Sequence, residues 1–256
     1  MPVCCVILPA YCEAANLGGV LEGIFAQAAS VPEVELWALV VDDNSPDGTL
    51  ALLERLAEEY PRLRWIRGAR QGLGAAYQRG FRWALAKLAP ELLVQMDADG
   101  QHDPAALPSL VRACRAGVGA VVGSRFAPGG TTPAFSLRRR LTSRAGNGLI
   151  RRVGGLPPLH DYTSGYRCLE AQVASRALAA CERDQLARRG YAFQSSLIAE
   201  VLLSGAAVAE VPIQFGVRRH GRSKLQWADY VEFALNLRRL RHRARRSPAP
   251  PAAAAG

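Results

Sequence analysis

The chain has 256 residues, 49% of them apolar, with a mean hydropathy of zero. That is enough for one large α/β domain or two small ones with a packed core, and no run of about 18 or more uncharged apolar residues predicts a membrane-crossing helix. The net charge of +10 is almost all arginine, since Lys87 and Lys224 are the only lysines, which admits phosphorylated substrates, anionic lipid or nucleic acid as partners. The first residues, Met1 to Leu8, lack a basic leader and read as a strand, not a signal peptide. The six cysteines contain no C-x-x-C pair, so neither a zinc ribbon nor a disulfide framework is expected. Cys4 and Cys5 read as small core residues, and a reducing, cytosolic setting fits.

Strand and helix signals alternate along the chain. Strands are predicted at 3–8, 36–41, 64–67, 92–96 and 120–124. Helices are predicted between them at 16–29, with Asn16 as N-cap, and at 49–60, 74–88 and 104–115. This alternation predicts a mostly parallel sheet covered on both faces. After Ser124 the composition turns rich in Arg, Gly, Pro and Ser. Helices are expected near 137–153, 170–181 and 194–204, then a strand at 207–213 and an amphipathic helix from Trp227 to about Arg245. The proline and alanine run 247–256 predicts a disordered tail.

The acidic residues mark the strand exits. Asp97-Ala98-Asp99 ends the apolar run Leu92 to Met96, and Asp42-Asp43 ends the second strand. Pro9-Ala10-Tyr11-Cys12-Glu13 follows the first. In open α/β sheets the crevice at the carboxyl edge is where ligands bind. Helix N-caps would account for one Asp or Ser per loop, but not for doubled aspartates twice. Like charges so close favour a cation beside them. Carboxylate oxygens suit Mg²⁺ or Mn²⁺, ions that share their coordination shell with substrate phosphates. His102, His160 and His220 read as surface or loop residues, because no metal-binding spacing joins them.

These residues resemble the family 2 glycosyltransferases of GT-A fold and, within them, the dolichol- or polyprenol-phosphate mannosyltransferases. The resemblance rests on an ordered set of blocks over about residues 3–226. They are Leu8-Pro9-Ala10-Tyr11-Cys12-Glu13, Val41-Asp42-Asp43-Asn44-Ser45-Pro46-Asp47-Gly48-Thr49, Gly72-Leu73-Gly74-Ala75-Ala76-Tyr77 and Met96-Asp97-Ala98-Asp99-Gly100-Gln101-His102. Gly123-Ser124-Arg125-Phe126, Asp161-Tyr162-Thr163-Ser164-Gly165-Tyr166-Arg167, Tyr191-Ala192-Phe193-Gln194, Glu210-Val211-Pro212-Ile213 and Arg218 with Gly221-Arg222-Ser223-Lys224-Leu225 complete it.

The resemblance implies a GT-A catalytic domain over 1–226, a basic amphipathic helix over 227–246 and a tail. It implies transfer of mannose from GDP-mannose to a polyprenyl monophosphate, with inversion. Pro9, Tyr11, Glu13, Asp42 and Asp43 would line the nucleotide pocket. Asp97 would hold the nucleotide sugar, and Asp99 and Gln101 would hold Mg²⁺ or Mn²⁺. Arg125, Arg139 and Ser143 would hold the lipid phosphate, which is largely ionised near neutral pH and attacks without a protein base. Arg218 and Lys224 would reach the donor diphosphate or the mouth of the site from a mobile loop, to which Gly216 and Gly221 give hinge freedom. Two residues depart from the family pattern: Cys12, where Asn is usual, and Ser196, where an acidic residue is common.

Alternatives stay open. A UDP-sugar could supply glucose or another hexose to the same lipid. A basic nucleic-acid-binding protein is the reading from another class, although acidic strand exits would repel a phosphate backbone. In the last helix Trp227, Tyr230, Val231, Phe233, Ala234, Leu237 and Leu240 form an apolar face, with an arginine cluster from Arg238 to Arg246 beyond it. It either lies in a membrane interface or packs on the domain. The family resemblance favours a peripheral protein at the cytoplasmic face of a membrane, held by the lipid surface or by a separate anchoring subunit.

Overall fold

The computed structural model describes residues 1–183, 192–217 and 227–246, the side chains of 227–234 excepted. Strand β1 (Val3–Ala10) is apolar throughout and carries β2 (Glu35–Asp42) on one side and β4 (Leu92–Gln95) on the other, both parallel to it. Its side chains alternate between two hydrophobic clusters, as a strand covered on both faces requires. Cys5 and Ile7 face one cluster, and Cys4, Val6 and Leu8 the other. β3 (Leu63–Arg67), β5 (Ala120–Ser124), β6 (Arg167–Glu170) and β7 (Val208–Pro212) complete a seven-stranded sheet in the order β3-β2-β1-β4-β6-β5-β7. β6 alone runs antiparallel, wedged between β4 and β5.

Helices cover both faces. α1 (Ala14–Ala26), α2 (Thr49–Glu59) and α4 (Leu107–Arg115) pack on the Cys4 side. α3 (Leu73–Lys87), α6 (Ala171–Arg183) and α7 (Ala192–Leu203) pack on the Cys5 side. α3 sits tight on the sheet at Gly80, where a Cβ would lie 2.6 Å from Ile7 Cγ2 and 2.9 Å from Val41 Cγ2. α5 (Leu137–Gly154) and α8 (Trp227–Arg246) pack on each other.

The expected elements are present with three corrections. α1 begins at Ala14, so Asn16 is not its N-cap. Asn16 lies in the first turn and donates Nδ2–H to Glu13 Oε2 at 2.7 Å, while Asp47 Oδ2 accepts from the Ala14 N–H at 3.1 Å. The helix expected at 104–115 starts as a 3-10 turn over Pro104–Ala106, capped by Asp103, before α4 proper. β6 was not expected at all. It is four residues long and carries a fully buried arginine, Arg167, so it lacks an apolar pattern.

The described half of α8 packs on the domain. Leu237 and Leu240 are buried in the cluster shared with α7. Asn236 bonds Ser195 Oγ at 2.9 Å and Ser196 Oγ at 3.0 Å. Arg243 makes a two-pronged pair with Glu200 at 2.9 and 3.0 Å. Among the described residues no helix is long and apolar enough to cross a membrane. Tyr191, Arg218, His220, Gly221, Lys224 and the tail lie outside the described residues, as do the side chains of Trp227, Tyr230, Val231, Phe233 and Ala234.

Candidate active site

At the carboxyl edge of the sheet a cavity of about 310 Å³ opens above β1 and β4. This is where the strand order reverses, β2 and β3 lying to one side and β4 to the other. Its walls follow the strands. β1 contributes Pro9 and, just beyond its end, Tyr11 and Glu13; the loop after β2 gives Asp43, and the loop after β3 gives Arg70. The loop after β4 gives Asp97, Asp99, Gln101 and His102; Arg125 follows β5, and Arg139 lies on α5. The three acidic strand exits therefore converge. Asp42 and Ser143 do not line the cavity. Asp42 is fully buried, with its carboxylate accepting from the Ser45 N–H at 3.2 and 3.3 Å and Arg67 at 3.5 Å. Ser143 sits one helical turn beyond Arg139, its carbonyl accepting from Asn147 Nδ2 at 3.0 Å.

The Asp97–His102 loop is held from several directions. Tyr77 donates its hydroxyl to Asp97 Oδ1 at 3.1 Å. The Asp97 N–H donates to His102 Nδ1 at 3.0 Å, so the imidazole is an acceptor there and neutral. Burial lowers the His102 pKa against the pull of Asp97 and Asp99. His102 is thus not a surface residue: it is 1% exposed, stacked on Tyr166 at 5.0 Å and edge-on to Phe215 at 5.3 Å. Asp99 Oδ1 accepts from the Gln101 N–H at 3.0 Å, and Gln101 Nε2 donates to the Gly216 carbonyl at 3.3 Å. Gly165 lies so close beneath that a Cβ would sit 3.3 Å from both Asp97 carboxylate oxygens.

The far wall is cationic. Arg125 grips Asp161 with two prongs, Nε at 2.7 Å and Nη2 at 2.8 Å, and donates to Thr163 Oγ1 at 2.7 Å. Asp161 also accepts the N–H groups of Arg125, Thr163 and Ser164. This web fixes the plane of the Arg125 guanidinium at the cavity wall. Arg139 is exposed and stacks over Phe135 at 3.9 Å, and Phe135 packs edge-on to Phe215 at 5.6 Å. Behind Asp97, Arg167 is wholly buried; it donates to Gln194 O at 2.5 Å and Tyr162 O at 2.8 Å, and burial lowers its pKa to about 10.

On the nucleotide side Asp43 pairs with Arg79; burial raises its pKa and Arg79 opposes the rise. Cys12 has φ 55, in the left-handed region that Asn adopts more readily, and its N–H donates to Ser45 Oγ at 2.9 Å. Ser196 is buried against Asn236 and is not part of the cavity. The sequence reading did not single out Arg70, Arg79 or Phe215, and it quoted Tyr77 in a block without giving it a role. Arginines are frequent in this chain, and only the fold shows which of them and which aromatics meet here.

The donor set fits a hard cation. Asp99 and Gln101 offer oxygens beside Asp97. Among the described residues no group of three His, Cys, Asp or Glu side chains is placed to hold a metal ion alone. Two protein ligands completed by substrate phosphates is how Mg²⁺ and Mn²⁺ are commonly bound.

A family model described as Glycosyl transferase family 2 matches residues 5–177. The chain is 38% identical over 229 residues to the polyprenol monophosphomannose synthase of Mycolicibacterium smegmatis, covering 89% of this chain and 82% of that protein. It is 38% identical over 234 residues to the undecaprenyl-phosphate mannosyltransferase of Micrococcus luteus, covering 91% of each. In structure it resembles a mannosyltransferase from Pyrobaculum calidifontis solved with GDP-Man and Mn²⁺. The TM-score is 0.64 at 21% identity, over 98% of this chain and 66% of that one. The doubly covered sheet, the converging acidic exits and these matches agree: the chain is a glycosyltransferase of GT-A fold and belongs to glycosyl transferase family 2.

Proposed function

We propose that this enzyme transfers mannose from GDP-mannose to a polyprenyl monophosphate, with inversion at the anomeric carbon. The observation that carries the reading is the order of groups along the cavity: aromatic and acidic residues over β2 and β1, the Asp97–Gln101 loop at β4, and arginines beyond it at β5 and α5. A nucleoside diphosphate sugar would lie across the first two, and a lipid phosphate would approach from the third. The two 38% identical relatives act, by their names, on polyprenol and undecaprenyl phosphate.

In this reading Asp99 and Gln101 hold Mg²⁺ or Mn²⁺, which would act as a Lewis acid on the leaving diphosphate. Asp97, oriented by Tyr77 and by the contact of its N–H with His102, accepts hydrogen bonds from the sugar. Arg125, held in plane by Asp161, and Arg139 bind the phosphate monoester and aim one oxygen at the anomeric carbon. The nucleophile is already ionised, so a neutral residue at Ser196 costs the reaction nothing. Arg218 and Lys224 are assigned to the donor diphosphate, and Ser143, one turn from Arg139 on α5, to the acceptor phosphate. The protein would work as a peripheral enzyme at the cytoplasmic face of a membrane, bound to the lipid surface or to an anchoring subunit.

The test is a donor screen. Protein, Mg²⁺ or Mn²⁺ and a short polyprenyl phosphate are incubated separately with GDP-mannose, UDP-glucose and UDP-GlcNAc, and lipid-linked sugar is read by mass. Product from GDP-mannose alone, abolished by EDTA and by Asp99→Ala, is expected. Arg139→Ala should raise KM for the lipid phosphate with little change in KM for the donor. Product from a UDP-sugar alone would keep the mechanism and overturn the donor.

A further inference from the structure

Arg70 lies in the loop after β3, exposed, with its guanidinium carbon 3.8 Å from the centroid of the Tyr11 ring. Both side chains line the cavity, and Arg70 reaches Tyr11 across the end of β2, whose exit loop carries Asp43. The sheet order gives the cavity a ruler. The Arg70 loop, Asp43, Tyr11 and the Asp97–Asp99 loop follow β3, β2, β1 and β4, neighbouring strands in that order. Three strand spacings, about 14 Å, separate the ends of β3 and β4, and Arg70 leans inward from the far end onto Tyr11, so the Tyr11 and Arg70 end lies within the span of an extended nucleoside diphosphate. With the diphosphate at Asp99 and Gln101, the base lies at the Tyr11 and Arg70 end.

Chemistry at that end is specific. Tyr11 presents a flat ring on which a base stacks. The two aspartates nearby are engaged, Asp43 by Arg79 and Asp42 by the Ser45 N–H and Arg67. Arg70 is the cation that lines this end among the described residues. A guanidinium fork matches two adjacent acceptors, and guanine offers O6 and N7 in that arrangement. Adenine sets a donor beside its N7, and uracil lacks the pair. We propose that Arg70 is a specificity-determining residue: on binding, the base takes the face of Tyr11 and the Arg70 fork turns to its edge, selecting a 6-oxopurine. This rests on the nucleotide-sugar reading of the cavity.

Calorimetric titration with GDP, IDP, ADP and UDP in the presence of Mn²⁺ tests it, on the full chain and on Arg70→Gln and Arg70→Lys. IDP keeps O6 and N7 but lacks the exocyclic amine of guanine. The parent protein should bind GDP and IDP about tenfold or more tighter than ADP and UDP. Both variants should lose that preference with UDP affinity unchanged, the lysine variant because it keeps the charge but not the fork. An unchanged GDP-to-UDP ratio in Arg70→Gln overturns the proposal. So does an equal loss for all four nucleotides, which would make Arg70 a phosphate contact. Binding of none of the four by the parent protein would instead overturn the nucleotide-sugar reading itself. Arg70 is exposed, and thermal melts of the variants should match the parent.

Discussion

Asp161 has no exposed surface, yet it stays ionised. Burial alone would raise its pKa; the Arg125 guanidinium and the surrounding N–H groups outweigh burial and hold it below the ordinary carboxylate value. Its folded pKa is depressed, so its contribution to stability is present above the unfolded pKa and is lost as pH falls through the folded one. Asp161→Asn leaves Arg125, which is 10% exposed, without its carboxylate. The loss at pH 7 should be about 3–5 kcal/mol by urea unfolding. The gap between parent and variant should narrow as pH drops below the ordinary carboxylate range; a gap independent of pH would show that the charge is not what matters. At this scale the sequence was readable where chemistry is written in neighbours. Asp97 and Asp99 stand together at a strand exit, and so do Asp42 and Asp43. Asp161 and Arg125 are far apart in the chain, and His102 looks like any loop histidine until Tyr166 and Phe215 close over it.

Among the elements, the strands and helices before Ser124 were legible because the strand runs are apolar, the helices carry an apolar stripe, and Pro, Gly or Asn bounds them. In the second half α7 was found although it is buried at every residue and shows no amphipathic period, but β6 was missed, because it holds Arg167 in the middle of the sheet, where pattern argues against a strand. The basic last helix allowed two readings from sequence. In the described half the apolar stripe is used inward, with Leu240 fully buried and Arg243 paired to Glu200. Leu240→Ala should therefore cost about 2–5 kcal/mol in urea unfolding. A loss under about 0.5 kcal/mol, as at a surface site, would mean that α8 is not seated on α7 in solution.

Seen whole, the molecule is cationic, with much of the charge on one pair of helices. Exposed arginines at 138, 139, 144, 151 and 152 on α5 adjoin those at 238, 239, 241, 245 and 246 on α8, which packs against it. Each basic residue near an anionic bilayer contributes roughly 1 kcal/mol of attraction. If the protein works at a membrane as proposed, it should sediment with phosphatidylglycerol vesicles, and reversing Arg238, Arg239, Arg241 and Arg245 to Glu should abolish this while leaving the melting temperature in place, because none of the four is buried. Retained sedimentation would take the contact off α8, and no sedimentation by the parent protein would overturn direct binding to the lipid surface.

The antiparallel strand wedged between β4 and β5 also sets the order in which the chain can be completed. Leu92 and Ala120 are made early, yet the partner that fills the gap between their strands, Leu169 with its neighbours, comes much later. A nascent chain leaving the ribosome therefore carries two apolar strands with open edges until β6 inserts. Such edges template the wrong partners, and non-local closure is slow. The first half of this enzyme is thus the part that a chaperone would shelter. A chain interrupted before Arg167 should accumulate as aggregate, not as a smaller folded domain.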